Sequence, residues 1–421
     1  MQPPPGDHVH ANTDIDRMLP PAEASAIIAH HVPKVSVQTV DVGQSAGRVI
    51  ATDIVAPHDH PGWPASTMDG FAVLAADLSP WREIVGTQNA GDVIDAEVTE
   101  GYTVRIMTGA PVPHGADAVV PVEDTELMED HVVIHRDVKP GENIRQPGSD
   151  IRAGELVIPA GTRLGFAEVG LLASLGITPV TVARKPKVSI ISTGDELKDP
   201  HEPIGPGQIR DANRFALAAT LADEPVEITW IGKAPDDRVG LETLLKERMK
   251  NDDIILTSGG VSMGEKDYIK AILFEADDVD LHFRRLFMKP GKPLNFATRG
   301  ETMIFGLPGN PVSSLVTFEL FIRPAIRQMI GDRQIHRPTV PVRLLEETQP
   351  SDRIEYQRAI VSLDEEGRLV GRSTGMQRSS RLASFLGANA FLVIPPREIP
   401  WSAGETVEAM MLGAPLASDA S

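Results

Sequence analysis

The amino-acid sequence predicts a multidomain α/β plus β protein, in which a doubly wound, mostly parallel α/β domain lies between β-rich regions. Three observations support that class. The chain has 421 residues, more than one hydrophobic core ordinarily organises, so two to four domains are expected. Between 186 and 330, short apolar runs alternate with helical patterns, the signature of βαβ units and a parallel sheet. The segments 81–148 and 337–415 consist instead of short apolar islands punctuated by glycine and proline, as in small β domains.

Composition narrows the function. The formal charge of -19 at pH 7 argues against a nucleic-acid or anionic-membrane partner, because phosphate backbones require a basic footprint. A small anionic ligand stays compatible if positive charge is gathered locally. The absence of cysteine excludes disulfides, thiolate metal sites and a cysteine nucleophile, and fits a reducing cytoplasm. MQPPPGDHVH at the start lacks the basic and apolar regions of a secretion signal and reads as a loose tail. No apolar run reaches the roughly 18 residues that a membrane-spanning helix needs.

Taken in order, PAEASAIIAHHV at 21–32 follows a double proline and predicts a short helix, and 35–55 alternates as strands around a turn near Gly43 to Gly47. His30 and His31 have too few companion ligands for a metal site and are read as surface histidines. The loop APHDHPGWPASTMDGFAV, 56–73, holds the turn dipeptide Asp69-Gly70, yet it is long and groups Ser66, Thr67 and Asp69, as functional loops often do. In RIMTGAPVPHGADAVVPVEDTEL, 105–127, Thr108-Gly109 ends an apolar strand and offers either an ordinary hairpin turn or a hydroxyl and an amide for an oxyanion. FAEVGLLASLG, 166–176, has helical spacing and a glycine stop. The return to a helical pattern after a β island makes 56–148 an insertion in an elongated first domain spanning 11–55 and 149–185.

The α/β segment, 186–333, predicts a strand at 188–191, a helix in NRFALAATLA, a strand in PVEITWIG and a helix in DDRVGLETLLKERM. A central strand at 254–257, a helix near 267–275 and strands near 281–287, 293–297 and 302–306 follow. Ile254, Ile255 and Leu256 form the apolar block of a strand buried on both faces. Ligands of such sheets bind beyond the carboxyl ends of the strands. At those ends stand Thr193, Gly194, Asp195 and Glu196, then Asp236 and Asp237, then Ser258, Gly259, Gly260 and Asp267, and finally LPGNP at 307–311. Gly259 and Gly260 can adopt positive φ and turn backbone N–H groups toward a phosphate. A carboxylate at Asp267 beside such amides would repel an anion unless a divalent cation lay between them, and Glu196 and Asp267 are the pair placed to share one. A plain strand-to-helix turn with an acid at the helix start is the alternative. In LPGNP, Asn310 suits an N-cap and Pro311 the first helical position, so a helix is predicted over 311–330, bent at Pro324.

Basic residues gather in LHFRRLFMKPGKP at 281–293, where Arg284, Arg285, Lys289 and Lys292 place four cations within nine residues. In so acidic a chain this is read as an anion sink rather than a solvated strand. Arg358 and the polar loop GRSTGMQRSSR at 371–381 are further candidates for phosphate contact, within a separate β domain at 337–415.

Together these motifs resemble the molybdenum insertase family, the bacterial molybdopterin molybdenumtransferases and the similar E domain of gephyrin. The resemblance spans about 14–412 and is carried, in order, by STMDGFAV, RIMTGAPVPHGADAVVPVEDT, GENIRQPGSDI, STGDEL, TSGGVSMGEKDY, KPGKP and LPGNPVSS. It implies an elongated N-terminal domain with an inserted β domain, a doubly wound domain and a small C-terminal β barrel. It also implies a cytoplasmic homodimer whose cleft lies between the third domain of one subunit and the second of the other. The implied reaction transfers molybdenum from molybdate to the dithiolene of adenylylated molybdopterin, with hydrolysis of the pyrophosphate link and release of AMP. The implied cofactor is Mg2+, held by Glu196 and Asp267, and a molybdopterin adenylyltransferase is a candidate protein partner.

By motif position, the family's acids fall on Asp69, Asp150, Glu196, Asp236 and Asp267, and its threonine on Thr108. Its arginine before Asp150 falls on Arg145, its cationic pair on Arg285 and Lys289, its prolines on Pro308 and Pro311, and its C-terminal contacts on Arg358 and Ser379. Thr193, Gly194, Ser258, Gly259, Gly260 and Lys292 complete the candidate substrate site. The chain departs from the family pattern in having Ala65, Ser66 and Thr67 before Met68, Arg285 at the first basic position, and Gln377, Arg378 and Arg381 in a loop that is usually glycine-rich. Two other readings remain: adenylyl transfer to molybdopterin, which does not need the first, second and fourth domains, and a non-catalytic scaffold, which would not require the acid set.

Overall fold

A computed structural model describes residues 15, 17–235, 237–259, 276 and 278–417. Contacts divide the chain into two units, one formed by 1–39, 47–51 and 181–421 and the other by 40–46 and 52–180.

The first unit is built on a seven-stranded sheet. In spatial order its strands are Met18–Leu19, Asp280–Leu286, Pro293–Arg299, Thr302–Leu307, Ile254–Ser258, Lys187–Ser192 and Glu227–Lys233. Pro293–Arg299 runs antiparallel to both neighbours, and every other pairing is parallel. Successive side chains of a strand point to opposite faces, and both faces here are apolar. Val188, Ile190, Ile254, Leu256 and Phe305 pack with Leu217 and Leu221 of the helix Asn213–Leu221. Ile191, Ile255 and Ile304 pack with Leu241, Leu245 and Met249 of the helix Arg238–Asn251. Each such fully buried side chain contributes roughly 1.5–3 kcal/mol. Helices thus cover the sheet on both sides, which is the doubly wound arrangement read from the alternation. The helix expected near 267–275 lies outside the described residues.

The helix expected over 311–330 is three pieces, Pro311–Thr317, a π-helical turn at Phe318–Ile322 and Arg323–Met329. Pro324 has no N–H and its ring crowds the carbonyl of Leu320, so the turn widens just before it. The helix at the start, Pro21–His30, packs near the strand Asp280–Leu286. His31 is not a surface histidine: its ring lies 3.9 Å from that of His282, and its Nδ1 is 2.8 Å from the Ile27 carbonyl.

In the same unit, Thr339–Leu344, Ile354–Leu363, Leu369–Ser373, Ala390–Ile394 and Thr406–Met411 form a closed five-stranded barrel. Closure follows because Ile354–Leu363 pairs with both Leu369–Ser373 and Ala390–Ile394. The short strand Met288–Lys289 adds to Ile354–Leu363 in parallel, with Lys289 opposite Glu355.

The second unit contains a six-stranded sheet in the order Ala118–Pro121, Gly70–Val73, Tyr102–Ile106, Trp81–Gln88, His131–Ile134, Thr125–Met128. Two apolar clusters, one with Phe71, Val120 and Val132 and the other with Ala72, Val104 and Val119, sandwich it. Outside the sheet, Ala65–Ser66 pairs with Ile144–Arg145, Ile54–Val55 pairs with Leu156–Ile158, and Phe166–Ser174 is the expected helix. Asp69-Gly70 is not a turn of the kind its composition suggests. Gly70 opens a buried strand, and a Cβ there would lie 2.0 Å from the Val120 carbonyl oxygen, so close strand approach requires the glycine.

Candidate functional site

Three loops meet at the carboxyl edge of the seven-stranded sheet because their strands end in register, with Ser192 beside Ser258 and Ser258 beside Leu307. The Thr193 N–H donates to the Ser258 carbonyl at 3.0 Å, and the Gly259 N–H to the Leu307 carbonyl at 3.4 Å. Gly259 has φ +86°, and a Cβ on it would lie 2.4 Å from the Thr193 carbonyl oxygen, so conformation and space both demand glycine. Gly194 lies against the Glu196 carboxylate, whose oxygens would be 2.5 and 2.6 Å from an added Cβ. Glu196 is exposed. The Thr193 hydroxyl is buried without a hydrogen-bond partner among the described residues.

Asn213, the first residue of its helix, joins two of these loops: its Nδ2 donates to Ser258 Oγ at 2.6 Å and to the Gly309 carbonyl at 2.8 Å. The sequence reading took NRFALAATLA only as a helix and missed this role, although a polar residue opening a helix beside strand ends was the available signal. Asp237 caps the helix Arg238–Asn251 by accepting from the Gly240 N–H at 2.8 Å. Asp236, Gly260 and Asp267 lie outside the described residues, so the expected pairing of Glu196 with Asp267 does too. Among the described residues, no three His, Asp or Glu side chains are grouped to hold a metal ion.

LPGNP is tied to the barrel. The Pro308 carbonyl accepts from Ser314 Oγ and Pro311 opens the helix. Asn310 makes no side-chain cap, contrary to expectation; its Nδ2 donates to Ser379 Oγ at 3.1 Å, and the Val312 N–H donates to the Ser379 carbonyl at 3.1 Å. Between these segments lies an open cleft of about 600 Å³, lined by Lys289, Lys292, Asn310, Arg353, Arg378 and Ser379 among others. Lys289 Nζ donates to Glu355 Oε1 at 2.7 Å, while Gln357 Nε2 donates to the other oxygen at 3.0 Å.

The basic run is therefore divided. Lys289 and Lys292 reach the cleft from the turn, whereas Arg284 and Arg285 remain half-buried on the strand Asp280–Leu286, with Arg285 opposite Pro293. Arg358 is 1% exposed and does not line the cleft. Its Nε donates to Ser384 Oγ at 3.0 Å and its Nη2 to the Arg378 carbonyl at 3.4 Å, so it braces the loop that carries Ser379 instead of reaching outward. Burial pushes its pKa down to about 10, which leaves it charged at neutral pH.

The second unit gathers the other candidates. Thr108 donates to Asp69 Oδ1 twice, from its N–H at 2.7 Å and its hydroxyl at 2.8 Å. Those two donations hold the Asp69 carboxyl below its ordinary range, with Arg105 adding a smaller attraction. Ser66, buried, donates to the Met68 carbonyl at 2.6 Å, and the Thr67 N–H donates to the Asn143 carbonyl at 3.0 Å, which fixes the loop. Arg145, opposite Ala65 on the paired strand, forms an exposed ion pair with Asp150.

Comparison with known proteins matches three stretches: "MoeA N-terminal region (domain I and II)" over 19–176, "Probable molybdopterin binding domain" over 189–328 and "MoeA C-terminal region (domain IV)" over 342–412. A molybdopterin molybdenumtransferase of Haemophilus influenzae is 36% identical over 87% of this chain and 92% of that protein. Gephyrin of Dictyostelium discoideum is 37% identical over 94% of this chain, which spans 62% of gephyrin's length. The crystal structure of the molybdopterin biosynthesis moeA protein from Pyrococcus horikoshii OT3 superposes with a TM-score of 0.78 at 29% identity, covering 94% of this chain and all of that one.

Proposed function

Since the chain belongs to the molybdopterin molybdenumtransferase family, we propose that it inserts molybdenum from molybdate into adenylylated molybdopterin and releases AMP. It is a transferase of molybdenum cofactor biosynthesis. The observation that carries the finer reading is the meeting of three glycine-bearing loops beside a cleft lined with basic side chains, in a chain of formal charge -19. Backbone N–H groups at such a sheet edge suit the phosphates of the adenylylated pterin. Lys292 attracts molybdate, beside a Lys289 that is bonded to Glu355. Thr108 keeps Asp69 ionised as an acceptor, and Arg145, on the strand beside that loop, is paired with Asp150.

The donor chemistry fits Mg2+. This ion is usually held by one or two carboxylates together with substrate phosphates, and Glu196 offers an exposed carboxylate at the loop edge. When bound, Mg2+ would offset pyrophosphate charge. We propose further that Asp267 completes its ligands, that the chain has four domains with bounds at 11–55 plus 149–185, 56–148, 186–333 and 337–415, and that it works as a cytoplasmic homodimer alongside a molybdopterin adenylyltransferase. Among the described residues no helix is long and apolar enough to cross a membrane.

The test supplies purified protein with adenylylated molybdopterin and magnesium, with and without molybdate, and measures AMP. Molybdate-dependent release is expected. Release that ignores molybdate, or consumption of ATP and molybdopterin instead, refutes the reading.

A further inference from the structure

We propose that Arg378 is a substrate-binding residue of the oxyanion cleft, acting with Lys292 on a tetrahedral dianion. The inference rests on the molybdate reading above and says which charges serve it. Four basic side chains line the cleft: Lys289, Lys292, Arg353 and Arg378. Two of them are already matched. Lys289 is bonded to Glu355 at 2.7 Å, and Glu355 is buried, so its charge is poorly screened by water and draws heavily on the ammonium. Arg353 donates twice to Asp352, at 2.8 Å each time, and stands 5.5 Å from the Phe287 ring. Lys292 and Arg378 are exposed, and neither is paired with an acid among the described residues. Two uncompensated positive charges therefore face the cleft, the number that a doubly charged oxyanion neutralises.

The backbone that carries Arg378 is held on both sides. Gln377 Oε1 accepts from the Arg358 N–H at 2.9 Å, and its Nε2 donates to the Arg358 carbonyl at 3.1 Å and the Gly375 carbonyl at 3.0 Å. The Arg378 carbonyl accepts from the buried Arg358, and the next residue, Ser379, is bonded to Asn310 and Val312. The loop backbone beneath Arg378 is thus fixed before an anion arrives, which lowers the entropic cost of capture. A planar guanidinium also presents paired donors to two oxygens of one oxyanion, which an ammonium does not.

The test is calorimetric titration of the full chain with sodium molybdate. Arg378→Ala should weaken binding roughly ten- to hundredfold, Arg378→Gln nearly as much, and Arg378→Lys should recover part of the loss. Arg381→Ala removes an equal charge from a nearby exposed position outside the cleft and should stay within about twofold, since exposed charges are screened. Equal weakening by Arg378→Ala and Arg381→Ala, or wild-type affinity in both Arg378→Ala and Arg378→Gln, would overturn the proposal while leaving the insertase reading intact. A wild-type chain that binds no molybdate would instead sink that reading and this inference together.

Discussion

Asp69 shows how a solvent-exposed carboxylate is given a fixed direction. Both donations from Thr108 fall on one oxygen, and among the described residues the other accepts no hydrogen bond. A double-mutant cycle with Asp69→Asn and Thr108→Val should therefore be non-additive: Asp69→Asn slows AMP release on the order of a hundredfold, as loss of a preorganised electrostatic group does, Thr108→Val, which keeps the backbone N–H bond, slows it less, and the second change adds little to the first. Additive losses would show that the two residues act separately. Thermal midpoints should fall only slightly, since Asp69 is exposed and its interaction with Thr108 is screened by water. The lowered pKa has a defined sign: the stabilisation exists above the ordinary carboxylate range and disappears as pH falls through the folded-state value. The sequence placed Asp69 and Thr108 in separate candidate loops, but only the pairing of their strands, Gly70 opposite Ile106, brings them together.

At the scale of elements, the helix Pro21–His30 is held near the strand Asp280–Leu286 by a stack of His31 on His282, which in turn lies 5.0 Å from Phe296. His282 also pairs its Nε2 with Thr298 Oγ1 at 2.9 Å. Burial, followed by repulsion from His31, pushes its pKa down to about 4, against an opposing pull from Asp280, with repulsion from His30 the smallest contribution. Below about pH 6.5 the unfolded histidine takes up a proton that the folded one refuses until about 4. Stability should consequently fall as pH drops through that window. Urea titrations at pH 7 and pH 5 would measure the fall, and His282→Gln, which retains a hydrogen-bonding side chain but does not titrate, should reduce it. An unaltered pH slope in that variant would assign the effect elsewhere. Sequence could not show this contact, because the whole second unit lies between His31 and His282 along the chain and neither lies in a periodic ligand pattern.

For the molecule as a whole, the first unit is joined internally by ions as well as by oil. Arg323, 2% exposed, donates to Glu319 at 2.8 and 3.0 Å and is also paired with Glu224. Arg327 reaches Glu224 at 2.9 Å, and Arg337, just before the barrel, reaches Glu319 at 3.1 Å. Removing one partner of a buried pair leaves the other charge uncompensated, so Arg323→Met should cost about 3–5 kcal/mol in urea unfolding. Arg238→Ala, which breaks the exposed pair with Glu242, should be too small to resolve. A comparable loss from both would mean that burial does not govern these pairs.

The sequence by itself determined the alternation of apolar strands and helices, the glycines of the phosphate-type loops and the local clustering of Lys289 and Lys292, because period, turn chemistry and charge density are properties of contiguous residues. It did not determine where side chains go. Arg284 and Arg285 stayed half-buried on their strand outside the cleft lining, burial turned Arg358 into a brace, and Asn310 abandoned its cap for Ser379. Those outcomes belong to the tertiary structure, since register and barrel closure decide which distant groups share a space and whether water reaches them.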